Sequence, residues 1–288
     1  MFIVTLVGTP ELSSQDVLAA SEILASRDHI WIDSGQAADI EVSALAPDGV
    51  ARIEAALPHV DVFAQPASAR HRRLFVADMD STMIQAECID ELADFAGKKA
   101  EIAAVTEAAM RGELDFEAAL RGRVEALEGL EVSAIRNCLD TRISYTPGAK
   151  TLIATLKAEG IRTCLVSGGF HSFADPVGEG LGFDVILANR LETAAGRLTG
   201  VVGSPIVDSA AKKALLLAES EGLGVGAGQA IAIGDGANDL DMVKAAGLGV
   251  AYHAKPKLAE AADARIRSGD LTVLLYALGL EKSRWQGA

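Results

Sequence analysis

From Leu74 onward the chain alternates short, uninterrupted apolar runs with helix-length amphipathic stretches. The runs are LFVADMD, IRTCLVSGG, AIAIGDG and LGVAY. Apolar residues on consecutive rather than alternate positions mark strands buried on both faces, so this alternation predicts a parallel sheet with helices packed over it. The first three runs end in Asp, Ser or Gly. An open parallel sheet places its ligand crevice beyond the carboxyl ends of its strands, and these three polar ends should converge there. Between the first and second runs, from about residue 86 to 145, helical spacing prevails and no strand-like run occurs. A helical insertion at that point predicts a cap able to cover the crevice.

Residues 1–66 follow another rule. A short apolar strand at 2–7 precedes SSQDVLAASEILAS, which has helical spacing behind a Ser/Asp cap. HIWIDS and ADIEVSAL read as strands, GVARIEAAL as a helix and HVDVFAQ as a last strand. This βαββαβ order is that of a minimal ferredoxin-like domain, and it resembles the small regulatory domains of the ACT type. PASARHRR supplies a linker over residues 67–73, which leaves 74–288 for the larger α/β unit.

The balance of charge limits the partners. Lys plus Arg number 26 against 40 Asp plus Glu, for a net −14. A surface this acidic repels phosphate backbones and anionic lipids, which argues against nucleic-acid and membrane binding. A small anionic substrate is repelled too, so a phosphate site needs a local cation: a metal plus a lysine suffices. Half the residues are hydrophobic and only 5% aromatic, which suits a large core of Ala, Leu, Val and Ile. Cys88, Cys138 and Cys164 are odd in number and lack CxxC spacing, which fits reduced packing residues in a cytoplasmic protein. The N-terminus shows no basic region before its apolar residues and no run of the ~18 apolar residues a spanning helix needs, so neither export nor anchoring is expected. The sequence leaves a homodimer open.

Asp78-Met79-Asp80-Ser81-Thr82 places two carboxylates two apart at the end of a buried strand. Burying like charges is costly without a compensating cation or proton. GDGANDLD adds Asp235 and Asp239, and the resulting oxygen-rich pocket suits Mg2+. Ser167, with the amides of Gly168 and Gly169, can donate to phosphoryl oxygens, glycine allowing close backbone approach. Lys212 and Lys213 are adjacent, so one faces inward and the other solvent. Asn238 either hydrogen-bonds the site or caps the helix that follows.

DMDST, VSGGF, Lys212 and GDGANDLDM, in that order, resemble the four motifs of the haloacid dehalogenase superfamily, over about residues 74–278. The resemblance implies a Rossmann-like core with Asp78 as nucleophile and Asp80 as general acid. It also implies Mg2+ held by the Asp78 side chain, the Asp80 backbone carbonyl and Asp235, with Asp239 supporting the metal's waters. Spacing to the resembled motif selects Lys212 over Lys213, to neutralise the nucleophile and the phosphoryl group. Carboxylate nucleophilic catalysis with an acid in reach of the ester oxygen fits these assignments.

The cap sets the leaving group. Glu87 to meet an ammonium and Arg123 to meet a carboxylate make a pair suited to a small zwitterion. DSTMIQAECIDELA and TEAAMRGELDFEAALRGRVEAL closely resemble the phosphoserine phosphatases, which act in the last step of serine biosynthesis. That resemblance places Glu87 on the amino group and Arg123 on the carboxylate of O-phosphoserine, with Met110 and Phe116 lying over the methylene. Another small phosphomonoester remains the competing substrate class. A non-catalytic amino-acid sensor has no use for a nucleophile and an acid in series.

Overall fold

A computed structural model describes residues 1–26 and 28–287. Its first elements are β1 (Phe2–Gly8), α1 (Ser14–Ile23), β2 (His29–Asp33), β3 (Ala37–Val42), α2 (Gly49–Ala56) and β4 (Val60–Pro66). Ser13 and Asp16 exchange hydrogen bonds in a capping box that satisfies open amides of the first turn of α1. β1 lies between β3 and β4, antiparallel to both. Val4, Leu6, Ile40, Ile53 and Val62 belong to one buried cluster on these elements.

β5 (Leu74–Ala77) opens the larger unit and leads into the cap helices α3 (Cys88–Asp94), α4 (Lys99–Met110), α5 (Phe116–Glu125) and α6 (Ser133–Arg142). The chain continues through α7 (Ala149–Ala158), β6 (Arg162–Phe170), α8 (His171–Leu181), β7 (Val185–Asn189), and the hairpin β8 (Leu191–Ala194) and β9 (Arg197–Val202). Then come α9 (Ser209–Gly222), β10 (Ala230–Gly234), α10 (Leu240–Ala245), β11 (Leu248–Tyr252), α11 (Pro256–Ala259), β12 (Ala264–Ile266) and α12 (Val273–Ala277). The four core runs of the sequence are thus β5, β6, β10 and β11. β7, β8, β9 and β12 are additions.

Strands β12, β11, β10, β5, β6 and β7 lie side by side in that order, all parallel. The chain leaves β5 toward β6 on one side and later returns as β10 on the other. The carboxyl ends of these three neighbours therefore flank a topological switch point, where a parallel sheet forms its crevice. The β8–β9 hairpin carries the fold outward to the cap: Gly129 N donates to Leu198 O at 2.9 Å, and Val132 N to Gly196 O at 3.0 Å.

The two sheets are one. β4 pairs antiparallel with β12 through Val62 and Arg265, making a ten-stranded sheet. Asp61, fully buried on β4, accepts from the backbone amides of Arg267 at 2.8 Å, Ser268 at 3.3 Å and Gly269 at 2.8 Å. Glu54 pairs with Arg265 and Arg267. The segment 67–73, read above as a linker, is also held: Arg70 grips Asp39 with bonds of 2.6 and 3.0 Å, and Arg72 donates to Gln65 at 2.7 Å. Among the described residues no helix is long and apolar enough to cross a membrane.

Candidate active site

The crevice beneath the cap is lined by Asp78, Asp80, Glu87, Met110, Phe116, Arg123, Ser167, Gly168, Gly169 and Asn238. β5 ends at Ala77, so Asp78 and Asp80 emerge at its carboxyl end, and both are buried. Lys212 comes from α9 and is fully buried. Its Nζ lies 2.5 Å from Asp78 Oδ1 and 2.7 Å from Asp239 Oδ1. Lys213, the alternative in sequence, is exposed. Asp78 Oδ2 is buried with no partner among the described residues.

Asp80 points elsewhere. Its Oδ1 accepts from Cys88 N at 2.8 Å, and its Oδ2 lies 3.2 Å from Ser167 Oγ. Ser167 in turn accepts from Gly169 N at 2.8 Å. The two glycines are sterically required. A Cβ on Gly168 would stand 2.8 Å from Phe116 Cζ, and one on Gly169 would stand 2.8 Å from Asp80 Oδ2.

Asp78, Asp235 and Asp239 each present an oxygen within 4.8 Å of the others. Burial and repulsion from Asp239 outweigh Lys212 and raise Asp78 from 3.8 to about 7. Asp80 is raised by burial against the Cys88 bonds, and Asp235 is held well above the carboxylate range by burial and the charges of Glu87 and Asp78. Burial alone would lower the Lys212 ammonium, but Asp239 and Asp78 hold it above its ordinary value. Lys212 therefore remains charged, yet one ammonium cannot keep this many carboxylates ionised together. A further cation would complete the charge balance. The buried, all-oxygen donor set of Asp78, Asp235 and Asp239 fits a hard divalent ion. Asp239 is also engaged with Asp235 N at 3.2 Å and Gly236 N at 3.1 Å, which fixes the loop carrying Asp235.

Of the two sequence readings for Asn238, capping does not occur. α10 has Asp239 at its N-cap with no side-chain cap bond, and the Asn238 Oδ1 atom is buried without a partner among the described residues. The residue lines the crevice.

On the cap side, Glu87 sits at the N-cap of α3 but makes no capping bond. It accepts instead from Ser81 Oγ at 2.6 Å, and burial with repulsion from Asp80 pushes it to about 8. Arg123, buried on α5, donates from Nη1 to Thr106 Oγ1 at 2.9 Å and from Nε to Ala119 O at 3.1 Å. Thr106 donates to Asp90 Oδ1 at 2.6 Å. Sequence reasoning missed Ser81, Asp90 and Thr106. Ser81 adopts a left-handed φ of 55°, unusual for a residue with a Cβ and a sign of local constraint. Its place within DMDST was the available signal; Thr106 and Asp90 carried none.

Residues 75–244 match the family model of the haloacid dehalogenase-like hydrolases. A phosphoserine phosphatase of Streptomyces coelicolor is 48% identical over 238 residues, covering 82% of this chain and 58% of that protein, so the chain spans little more than half that relative. A phosphoserine phosphatase of a Polaromonas species is 49% identical over 208 residues, covering 70% of this chain and 88% of that protein. Among solved structures, a phospho-aspartyl intermediate analogue of phosphoserine phosphatase superposes with a TM-score of 0.69 at 39% identity, over 72% of this chain and 98% of that one. An aspartate-lined switch point under a helical cap and the matches across it lead to one assignment: this chain belongs to the haloacid dehalogenase-like hydrolases, within the family of the phosphoserine phosphatases.

Proposed function

We propose that this chain hydrolyses O-phosphoserine to serine and phosphate through a phospho-aspartyl intermediate on Asp78. One observation carries the reading: Asp78 offers a buried, unpartnered oxygen while Lys212 fixes the other, beneath a cap that turns Glu87 and Arg123 into the same crevice. Asp78 Oδ2 attacks phosphorus, forming an acyl phosphate as the bond to the serine oxygen breaks. Asp80, whose protonated form burial favours, gives its proton to the departing alkoxide. Water then attacks phosphorus, Asp80 takes a proton from it, and the bond to Asp78 breaks to release phosphate. Lys212 neutralises Asp78 and the transferring group throughout.

Ser167 Oγ and the amides of Gly168 and Gly169 would donate to phosphoryl oxygens, Ser167 giving up its bond to Asp80 and Gly169 its bond to Ser167, and Asn238 lines the same crevice. Asp78, Asp235 and the backbone carbonyl of Asp80 would hold Mg2+, with Asp239 behind them; bound there, the ion supplies shielding between anionic nucleophile and anionic ester. Glu87 meets the substrate ammonium, which brings its raised pKa down again. Arg123 meets the carboxylate, and Met110 and Phe116 cover the methylene. Three free, buried cysteines support a cytoplasmic location.

The test is a screen of small phosphomonoesters with Mg2+. A kcat/KM for phosphoserine well above those for phosphoethanolamine and phosphoglycolate supports the reading. A flat profile, or a different preferred ester, overturns the substrate while leaving the phosphatase chemistry.

A further inference from the structure

Glu87 and Arg123, an acid and a base lining one crevice, form no ion pair with each other among the described residues. Each is tied to its own side instead. Ser81 holds Glu87 at 2.6 Å, and Thr106 holds Arg123 at 2.9 Å. Thr106 is only 3% exposed and Asp90 only 8%, so their 2.6 Å hydrogen bond is internal to the cap, joining α3 to α4, while Arg123 joins both to α5. A hydroxyl has one proton. Thr106 Oγ1 also lies 3.1 Å from Ile102 O, but the shorter bond to the Asp90 carboxylate takes that proton, which leaves the hydroxyl's lone pairs to accept from the guanidinium and joins it to a negative charge.

We propose that the Asp90–Thr106 pair is a positioning device that keeps Arg123 from collapsing onto Glu87, so that both charges stay available to a zwitterionic substrate. The inference rests on the reading of Arg123 and Glu87 given above. A guanidinium that reached Glu87 would draw its raised pKa down and ionise it, and the pair so formed would cancel both recognition groups. The tether gives Arg123 a competing anion on the far side and fixes two of its donors, Nη1 on Thr106 and Nε on Ala119 O. Nη2 makes no bond among the described residues, and Arg123 lines the crevice. Thr106 and Asp90 touch no reacting atom; they act through Arg123.

The test is a double-mutant cycle on the full chain with Mg2+. Thr106→Val should raise KM for phosphoserine by about tenfold or more, with a much smaller change in kcat. Thr106→Ser, which keeps the hydroxyl, should restore KM. Asp90→Asn should move KM the same way. Thr106→Val placed in a Glu87→Gln background should cost far less than it does alone, since Arg123 then has no anion to collapse onto. Equal costs in both backgrounds, or no rescue by serine, make Thr106 a packing element and overturn the proposal. The two readings separate cleanly. If Arg123→Ala raises KM and Thr106→Val does not, only the tether is wrong; if Arg123→Ala itself leaves KM unchanged, substrate recognition by Arg123 fails and takes the tether with it.

Discussion

The ammonium of Lys212 lies 2.5 Å from one oxygen of Asp78, and the other oxygen of that carboxylate has no partner among the described residues. A carboxylate fixed in this way has one direction in which to act. Asp78→Asn keeps the shape and removes the nucleophile, so turnover should fall by a factor on the order of 10³ or more while the protein stays folded. Beryllium fluoride should modify the wild-type chain at Asp78 and leave the variant untouched. Near-normal hydrolysis by folded Asp78→Asn would end the covalent reading.

The acid pair can be split from the nucleophile by leaving group. Asp80→Asn should lower phosphoserine hydrolysis by about 10² or more, because a serine alkoxide needs a proton as it departs. An aryl phosphate, whose leaving group is far less basic, should lose much less. Equal losses for the two esters would remove Asp80 from that role.

The raised carboxylates predict a metal-linked pH dependence of stability. Asp78 rises from 3.8 to about 7 and Glu87 from 4.5 to about 8. Without metal, the folded chain binds more protons than the unfolded one across roughly pH 4 to 8, so the contribution of this cluster falls as pH rises through that window. A divalent ion holds the metal-facing carboxylates ionised and opposes the loss. The Tm gain on adding Mg2+ should therefore be larger at pH 8 than at pH 6, and activity should vanish with a chelator and return with Mg2+. An equal Tm gain at both pH values would separate the metal from these carboxylates.

Gly168 and Gly169 are adjacent, yet they should respond differently to alanine. The new methyl at 168 meets the edge of the Phe116 ring, 2.8 Å away, which can tilt with the cap. Gly168→Ala should raise KM, and the addition of Phe116→Ala should relieve the strain. At 169 the methyl meets Asp80 Oδ2 at 2.8 Å and Ser167 Oγ at 3.0 Å, both held by hydrogen bonds. Gly169→Ala should cut kcat by about 10², with no relief from a change at Phe116.

Removal of residues 1–69 tests whether the first 66 form a unit of their own. The matched stretch of the Polaromonas relative covers 88% of that protein but only 70% of this chain. A chain starting at Arg70 is expected to fold and turn over, with a lowered Tm, since Arg265 and Arg267 lose Glu54 and the Asp61 bonds disappear. An inactive or unfolded product would make the first strands part of the catalytic core.

Legibility in the sequence followed chemistry more closely than geometry. Asp78, Asp80, Ser167 and Asp235 stood out because polar residues at the ends of apolar runs are expensive to bury, and a run records that cost locally. Lys212 needed the motif spacing to be told from Lys213, since both sit on one helical turn. The β4–β12 junction was invisible. It depends on a three-residue strand and on Asp61 accepting amides more than 200 positions away, which no local pattern encodes. Thr106 was hidden for a similar reason, because a hydroxyl in a helix looks the same whether it faces water or orients an arginine.

The β4–β12 junction also orders events during synthesis. Glu54 and Arg265 stand 211 positions apart. At about 5–20 residues per second, β4 emerges from the ribosome on the order of 10–40 s before β12 exists to pair with it. Throughout that interval β4 is an open edge, the kind of surface on which nascent chains stick to one another. Pro66 ends the strand, and the Asp61 carboxylate, still hydrated, opposes pairing with a stray edge. When residues 267–269 arrive, the same carboxylate is satisfied by their amides, so the group that grips the finished junction also guards the unfinished one.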